Sequence, residues 1–217
     1  MIDFTEIIGH EDIIRHFKES IELGQVSQTY IINGENGSGK KTLTRALAKT
    51  LQCEEGGTEP CNHCKSCLQS ETGNQPDVVW ITHDKPNFIS VDEIREQLIN
   101  DIDIKPYSSR YKIYVINDAH LMRPEAQNAL LKTIEEPPAY AIIILLTENM
   151  EKLLPTIVSR CIVLNIKPVR ENDIMEYLET VLHLDNERAR FCMDFAQGNL
   201  GKAIRLASRR CPYNEKA

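Results

Sequence analysis

Residues 34–42, GENGSGKKT, carry the pattern most able to do chemistry. Gly34, Gly39 and Lys40 match G-x-x-x-x-G-K, with a further glycine, Gly37, between them. In such a loop the backbone N–H groups converge on a phosphate chain. The helix that follows adds the positive end of its dipole, and the lysine reaches the outer phosphates. The next position normally supplies a hydroxyl to Mg²⁺, but here it is Lys41, with Thr42 one residue further on. A cation where a metal ligand belongs favours a loop that keeps its shape without gripping magnesium-bound nucleotide.

The usual partner of this loop is an apolar strand ending in Asp-Glu, whose Asp holds Mg²⁺ and whose Glu orients the attacking water. Here Ile113–Ile116 runs into Asn117-Asp118. Asn117 offers a carbonyl oxygen without charge, and Asp118 is one methylene shorter than Glu. A shift of about 1 Å in a catalytic group can cost roughly 10²-fold. With charge lost at both Lys41 and Asn117, hydrolysis is expected to be very slow or absent.

Four of the seven cysteines are bunched as C-x7-C-x2-C-x2-C: Cys53, Cys61, Cys64 and Cys67. In a reducing compartment this points to metal and not to disulfides. The last three fall within seven residues, read as loop, with His63 among them. Four thiolates close a tetrahedral Zn²⁺ shell, so the expected role is structural. Cys161, Cys192 and Cys211 are scattered and read as ordinary buried or free thiols. Arg160 sits between a short helical stretch and a strand. Alone it reads as a surface charge, though a place at the sheet edge would let it project toward a neighbouring subunit.

Positioning these groups takes strands alternating with helices. Apolar runs at 29–33, 78–81, 112–117, 141–146 and 161–166 read as strands, and 141–146 is continuous enough for a parallel strand covered on both faces. Helices are expected over 11–23, 40–51, 124–134 and from a capping box at Ser90-Val91-Asp92-Glu93 to about Asn100. The pattern is α/β, a five-stranded parallel sheet with ligand sites at the strands' C-terminal ends. After Lys167-Pro168 it changes to three amphipathic helices, at 171–183, 185–196 and 199–209. Residues 1–167 are thus read as a nucleotide-binding-like domain with an inserted zinc module at 53–67, and 168–217 as a small all-helical domain.

At 217 residues, net charge -7 and pI near 5.4, the chain is not a wholly basic nucleic-acid binder, although a local basic strip would still serve. No stretch is long and apolar enough to span a bilayer. The acidic start MIDFTEIIGH lacks a signal-peptide pattern, and a cytoplasmic protein is expected.

Several segments together resemble the AAA+ clamp-loader subunits of bacterial DNA polymerase III, gamma/tau and delta-prime-like, most closely the delta-prime branch. They are FTEIIGHEDI, SQTYIINGENGSGKKTL, CNHCKSC, AHLMRPEAQNALLKTIEEPP, LLTEN, LLPTIVSRC and GNLGKAIRLA. The run 126–138 and the triplet Ser159-Arg160-Cys161 are far more specific than the phosphate loop alone. The resemblance implies an AAA+ fold with a helical lid, and places Ile8-Gly9-His10-Glu11 by an adenine pocket. It puts Thr147 and Asn149 in the stretch that watches a γ-phosphate. Arg160 becomes an arginine finger for ATP on the adjacent subunit, and Gly201 falls where active members carry a lid arginine.

The implied partners are gamma/tau and delta subunits, with the sliding clamp and primer-template DNA reached through the complex. Any DNA contact is expected to be to phosphates and salt-sensitive. The implied cofactor is structural Zn²⁺, while ATP with Mg²⁺ is disfavoured by Lys41, Asn117 and Gly201. A collar domain known in the family would lie beyond this chain. The expected role is a subunit without ATPase activity of its own that supplies a finger in trans. The alternatives are an active gamma/tau-type ATPase using Thr42 or Asp118, or a stand-alone P-loop kinase.

Overall fold

The computed structural model describes residues 2–208. The end of the helix expected over 199–209, and Cys211, lie outside the described residues. Five strands form one parallel sheet in the order β2-β3-β4-β1-β5. They are β1 (Thr29–Asn33), β2 (Val78–Ile81), β3 (Lys112–Ile116), β4 (Ala141–Thr147) and β5 (Ile162–Asn165). The central strands β3 and β4 are buried along their whole length, as their unbroken β-branched runs require when both faces are covered. Alternate side chains feed two cores: Ile31, Tyr114, Ile143 and Leu145 on one face, Tyr30, Ile32, Val115 and Ile144 on the other.

Helices α1 (Glu11–Glu22) and α2 (Lys40–Gln52) cover the second face, where Phe17, Leu43 and Leu47 are fully buried. The cysteine segment leads into α3 (Lys65–Glu71). The Ser90 capping box is present: Ser90 Oγ accepts from Glu93 N at 3.3 Å, and Ser90 N donates to the Glu93 carboxylate at 2.6 Å. It opens α4 (Val91–Ile94), which then widens into a π-helical turn over Arg95–Ile99. The Gln97 side chain ties that turn to both backbone groups of Thr82, at 2.9 and 2.7 Å.

With α4, on the first face, lies α5 (Pro124–Glu135), begun by proline at its first turn and stopped before Pro137-Pro138. Its buried Gln127 accepts from Leu154 N at 2.7 Å and donates to the carbonyls of Lys152 (2.9 Å) and Met122 (3.0 Å). These bonds fasten α5 to α6 (Pro155–Val158), the short helix that delivers Arg160. After β5 come α7 (Glu171–Thr180), α8 (Asn186–Ala196) and α9 (Leu200–Ser208). They share a separate hydrophobic cluster of Ile174, Leu178, Ala189, Cys192, Ala196 and Ala203, against which Ile8 also packs. Among the described residues no helix is long and apolar enough to cross a membrane.

Candidate functional site

The phosphate loop joins the C-terminal end of β1 to α2. Gly39 at the helix N-cap has φ +95° and Gly37 has φ +87°, conformations that the sequence meets with glycine. Gly34 is needed for a different reason. A Cβ there would stand 2.9 Å from the Ile166 side chain and 2.9 Å from Ser38 Oγ.

Lys40 is buried, and its ammonium donates to the carbonyls of Gly34 and Glu35, the latter at 2.8 Å. Burial pushes its pKa down, while the carboxylates of Glu148, Asp118 and Glu35 push it back up. Lys41 and Thr42 are exposed on the first turn of α2. Any triphosphate entering the loop must therefore replace the carbonyls that already satisfy Lys40.

The neighbouring strand ends meet this lysine. Asn117 closes β3, and its side-chain amide donates to the carboxylate of Asp118. Asp118 itself sits in the left-handed region at φ 52°. Thr147 ends β4; its hydroxyl donates to Asn149 O at 3.1 Å and accepts from Asn149 N at 3.2 Å. The Asn149 side chain caps Glu151 N at 2.9 Å. Both residues thus hold their own turn. Glu148, between them, was not singled out from the sequence, yet its charge acts on Lys40. An exposed acid at a strand's C-terminal end was the available signal.

Helix α9 lies directly on this loop. Gly201 N donates to Gly37 O at 3.0 Å, and Asn199 Nδ2 donates to Asn36 O at 2.9 Å and to the Glu35 carboxylate at 3.3 Å. A Cβ on Gly201 would come within 2.4 Å of Gly37 O and 2.9 Å of its Cα. A Cβ on Gly37 would meet Arg205 Nη1 at 2.8 Å, so a guanidinium one turn past Gly201 also approaches the loop. Asn199 and Arg205 were likewise missed by sequence reasoning, because only the fold brings α9 across β1.

This close approach makes a sign-determining prediction. In an ordinary exposed helix, Gly→Ala stabilises by about 0.8–1 kcal/mol. At Gly201 the added methyl meets backbone, and such overpacking costs about 1–3 kcal/mol. Urea unfolding of Gly201→Ala should show a net loss of stability, and a gain would mean that lid and loop do not touch.

Beside the loop, His10 Nε2 lies 2.9 Å from Ser38 O, and burial lowers the imidazole pKa. Gly9, His10, Asn165, Val169 and Arg170 help line a cleft of about 300 Å³ between α1 and the start of the helical cluster. Of the segment 8–11, Gly9, His10 and Glu11 line this cleft, Ile8 packs against the helical cluster instead, and His10 joins the cleft to the loop.

The four cysteines converge. Their Sγ atoms all lie within 4.8 Å of one another, with Cys61 and Cys67 at 3.9 Å. Zn–S bonds of about 2.3 Å in a tetrahedron imply sulfurs about 3.8 Å apart, so the donor set fits Zn²⁺. Three backbone N–H groups point at sulfur: Cys61 N to Cys53 (3.4 Å), Cys64 N to Cys61 (3.3 Å) and Cys67 N to Cys64 (3.4 Å). One expectation is corrected here. Cys67 is not on a loop but in α3, with Cys64 as its N-cap and Cys53 as the C-cap of α2. Helix ends can present thiolates as close together as loops do. For Cys64, burial raises the pKa but hydrogen bonds from the N–H groups of Glu54 and Cys67 outweigh it, leaving it at about 7.

Arg160 lies away from the loop. It precedes β5, an edge strand, while the loop follows β1's other end. Thr29 Oγ1, at the start of β1, donates to Arg160 O at 2.8 Å. From Thr29 to Asn33 a strand covers about 13 Å. Arg160 is thus at the opposite end of the sheet from Lys40, out of reach of the chain's own phosphate loop.

Comparison with known proteins agrees with this architecture. A family profile described as "DNA polymerase III, delta subunit" matches residues 9–170. The chain is 35% identical over 209 residues to DNA polymerase III subunit gamma of Buchnera aphidicola subsp. Schizaphis graminum, covering 94% of this chain and 57% of that protein. It is 34% identical over 209 residues to DNA polymerase III subunit tau of Escherichia coli, covering 94% and 32%. The chain therefore spans about half the length, or less, of the curated relatives it matches. In fold it is similar to the Thermotoga maritima Holliday-junction branch-migration motor RuvB, with a TM-score of 0.64 at 16% identity over 96% of this chain and 64% of that one. With a parallel sheet, a phosphate loop and a helical cluster laid over it, and with the profile covering most of its length, this chain belongs to the DNA polymerase III delta-subunit family of AAA+ clamp-loader proteins.

Proposed function

We propose that this chain is the delta-prime-type member of the clamp loader, silent as an ATPase and supplying Arg160 to nucleotide on a neighbouring subunit. The observation that carries the reading is the separation of Arg160 from Lys40 by the length of the sheet, which leaves the exposed guanidinium useful only to a partner. Three departures support the silence: Lys41 in place of a hydroxyl, Asn117-Asp118 in place of Asp-Glu, and Gly201 in contact with Gly37 where a lid arginine belongs. Lys40, Thr42, Thr147 and Asn149 keep the vestige of a nucleotide site. Gamma/tau and delta subunits are the direct partners, and the sliding clamp and primer-template DNA are reached through the complex, in the cytoplasm. Residues 1–167 act as the nucleotide-binding-like domain and 168–217 as its lid.

A four-cysteine structural Zn²⁺ site completes the reading. Cys53, Cys61, Cys64 and Cys67 would hold the ion, which fastens the end of α2 to the start of α3. The chain's own residues do the rest: the N–H groups of Cys61, Cys64 and Cys67 stabilise negative charge on sulfur and fix the direction of each thiolate.

A second reading is favoured by the names of the relatives, which are gamma and tau. On that reading the loop is an active ATPase, with Thr42 or Asp118 taking over the metal. Calorimetry with ATP separates the two. The delta-prime reading expects weak or no binding that Mg²⁺ does not strengthen, because no residue at position 41 or 117 adds metal affinity. Tightening of tenfold or more on adding Mg²⁺, about 1.4 kcal/mol, would favour the gamma reading.

A further inference from the structure

The arginine proposed as a finger is held in place by a carboxylate of the run 126–138, Glu135, to which the sequence alone assigns no role of its own. Arg160 Nη2 lies 2.8 Å from Glu135 Oε1, the last residue of α5. Nη1 donates to Thr156 O at 2.9 Å and reaches Ser159 Oγ at 3.4 Å. These contacts hold both terminal nitrogens of the guanidinium, Nη1 and Nη2. The backbone on both sides is fixed from the start of β1 and the residue before it: Thr29 Oγ1 donates to Arg160 O, and Gln28 Nε2 donates to Pro138 O at 2.6 Å just past Glu135. Thr29 is 5% exposed, so that anchor is part of the packed N-terminal end of β1, between β4 and β5.

The Glu135–Arg160 pair itself is about two-fifths exposed on each side. A pair so open to water contributes little to folding. Its consequence is geometric: a long, flexible side chain is confined to one direction before any phosphate arrives. Preordering of this kind lowers the entropy lost when a charged group meets its target in the transition state.

We infer that Glu135 is a positioning residue for Arg160, aiming the guanidinium at the polyphosphate of a nucleotide bound to a neighbouring subunit. The inference rests on the trans role of Arg160 and adds to it the residue that aims the group. Glu135 acts through the arginine and does not touch the nucleotide. Glu135→Gln keeps the shape and one acceptor oxygen but loses the charge. Glu135→Ala loses both.

The test uses complexes assembled from the full-length protein and its ATPase subunits. Glu135→Ala should lower kcat for ATP by about tenfold, within the roughly 10²-fold that misplacement by 1 Å can cause. KM for ATP and the thermal unfolding of the variant should not move, and Glu135→Gln should fall between wild type and alanine. The deciding comparison is the double variant. If Glu135 works through Arg160, then Glu135→Ala adds no further loss on top of Arg160→Ala. A normal rate for Glu135→Ala beside a slow Arg160→Ala overturns the positioning role and leaves the finger standing. Losses that multiply in the double variant also overturn it, because Glu135 would then act elsewhere. A normal rate for Arg160→Ala removes the finger itself, and the positioning role with it.

Discussion

Replacing Arg160 with alanine should leave this protein folded and cut the ATP turnover of the assembled clamp loader by up to about 10³-fold. Arginine fingers supplied in trans are worth roughly 10³–10⁵ in rate, and the lower end suits a side chain that sits on an exposed edge. Folding is spared because Arg160 is exposed and its one ion pair, to Glu135, is solvated on both sides. The backbone that carries it is set by Ile157 and Thr29, neither of which the substitution touches. Steady-state phosphate release by complexes containing either version reads the effect directly. Equal turnover from the two would remove Arg160 from the reaction.

Loss of metal should produce the second large effect, and it should stay local. Protein purified without chelator should carry about one Zn²⁺ per chain. Removing the ion forfeits apparent binding energy of the order of 10–16 kcal/mol seen for structural zinc in finger peptides. The consequence is expected in the segment 53–67, where Gly56-Gly57 is exposed and proteolysis should become fast. Cys64→Ser should reproduce this without disturbing β1 or the phosphate loop.

The pH dependence follows from the same sulfurs. Thiolates bind metal and thiols do not, so retention holds above the relevant thiol pKa and weakens as protons compete below it. Because protons compete with the ion for all four sulfurs, zinc retention against a chelator should weaken as pH falls, and the Cys64 thiol, at about 7 without metal, joins that competition below about 7. Burial raises the thiol of Cys67, so its proton must be displaced by the ion at neutral pH. Metal analysis across a pH series checks the direction. Protein that never carries zinc, or that keeps residues 53–67 ordered without it, contradicts the assignment.

Much of this molecule was legible in the residue order because local physics and global fold agree. The apolar, β-branched run from Ala141 to Leu146 has the character of a parallel strand covered on both faces, and it is one, buried throughout. The G-x-x-x-x-G-K spacing marked the phosphate loop, in which Gly37 and Gly39 take positive φ, and Ser90 with Glu93 marked a helix start. What stayed hidden depends on tertiary approach. Nothing in GNLGKAIRLA says that Gly201 rests on Gly37, because that contact joins residues at the two ends of the chain. The pairing of Glu135 with Arg160 hides for the same reason, since it depends on α5 being fastened through Gln127 to the segment that leads into α6. Cys67 was placed on a loop because a seven-residue helix leaves too little periodicity to read.

The most direct test is Mg²⁺-dependent phosphate release from ATP by the purified full-length protein, without its partner subunits. Release no faster than the buffer control is the result expected of a loop whose lysine is satisfied by its own carbonyls and whose metal ligands are replaced. Steady turnover that requires Mg²⁺ and disappears with Lys40→Ala would show a working motor and contradict the account.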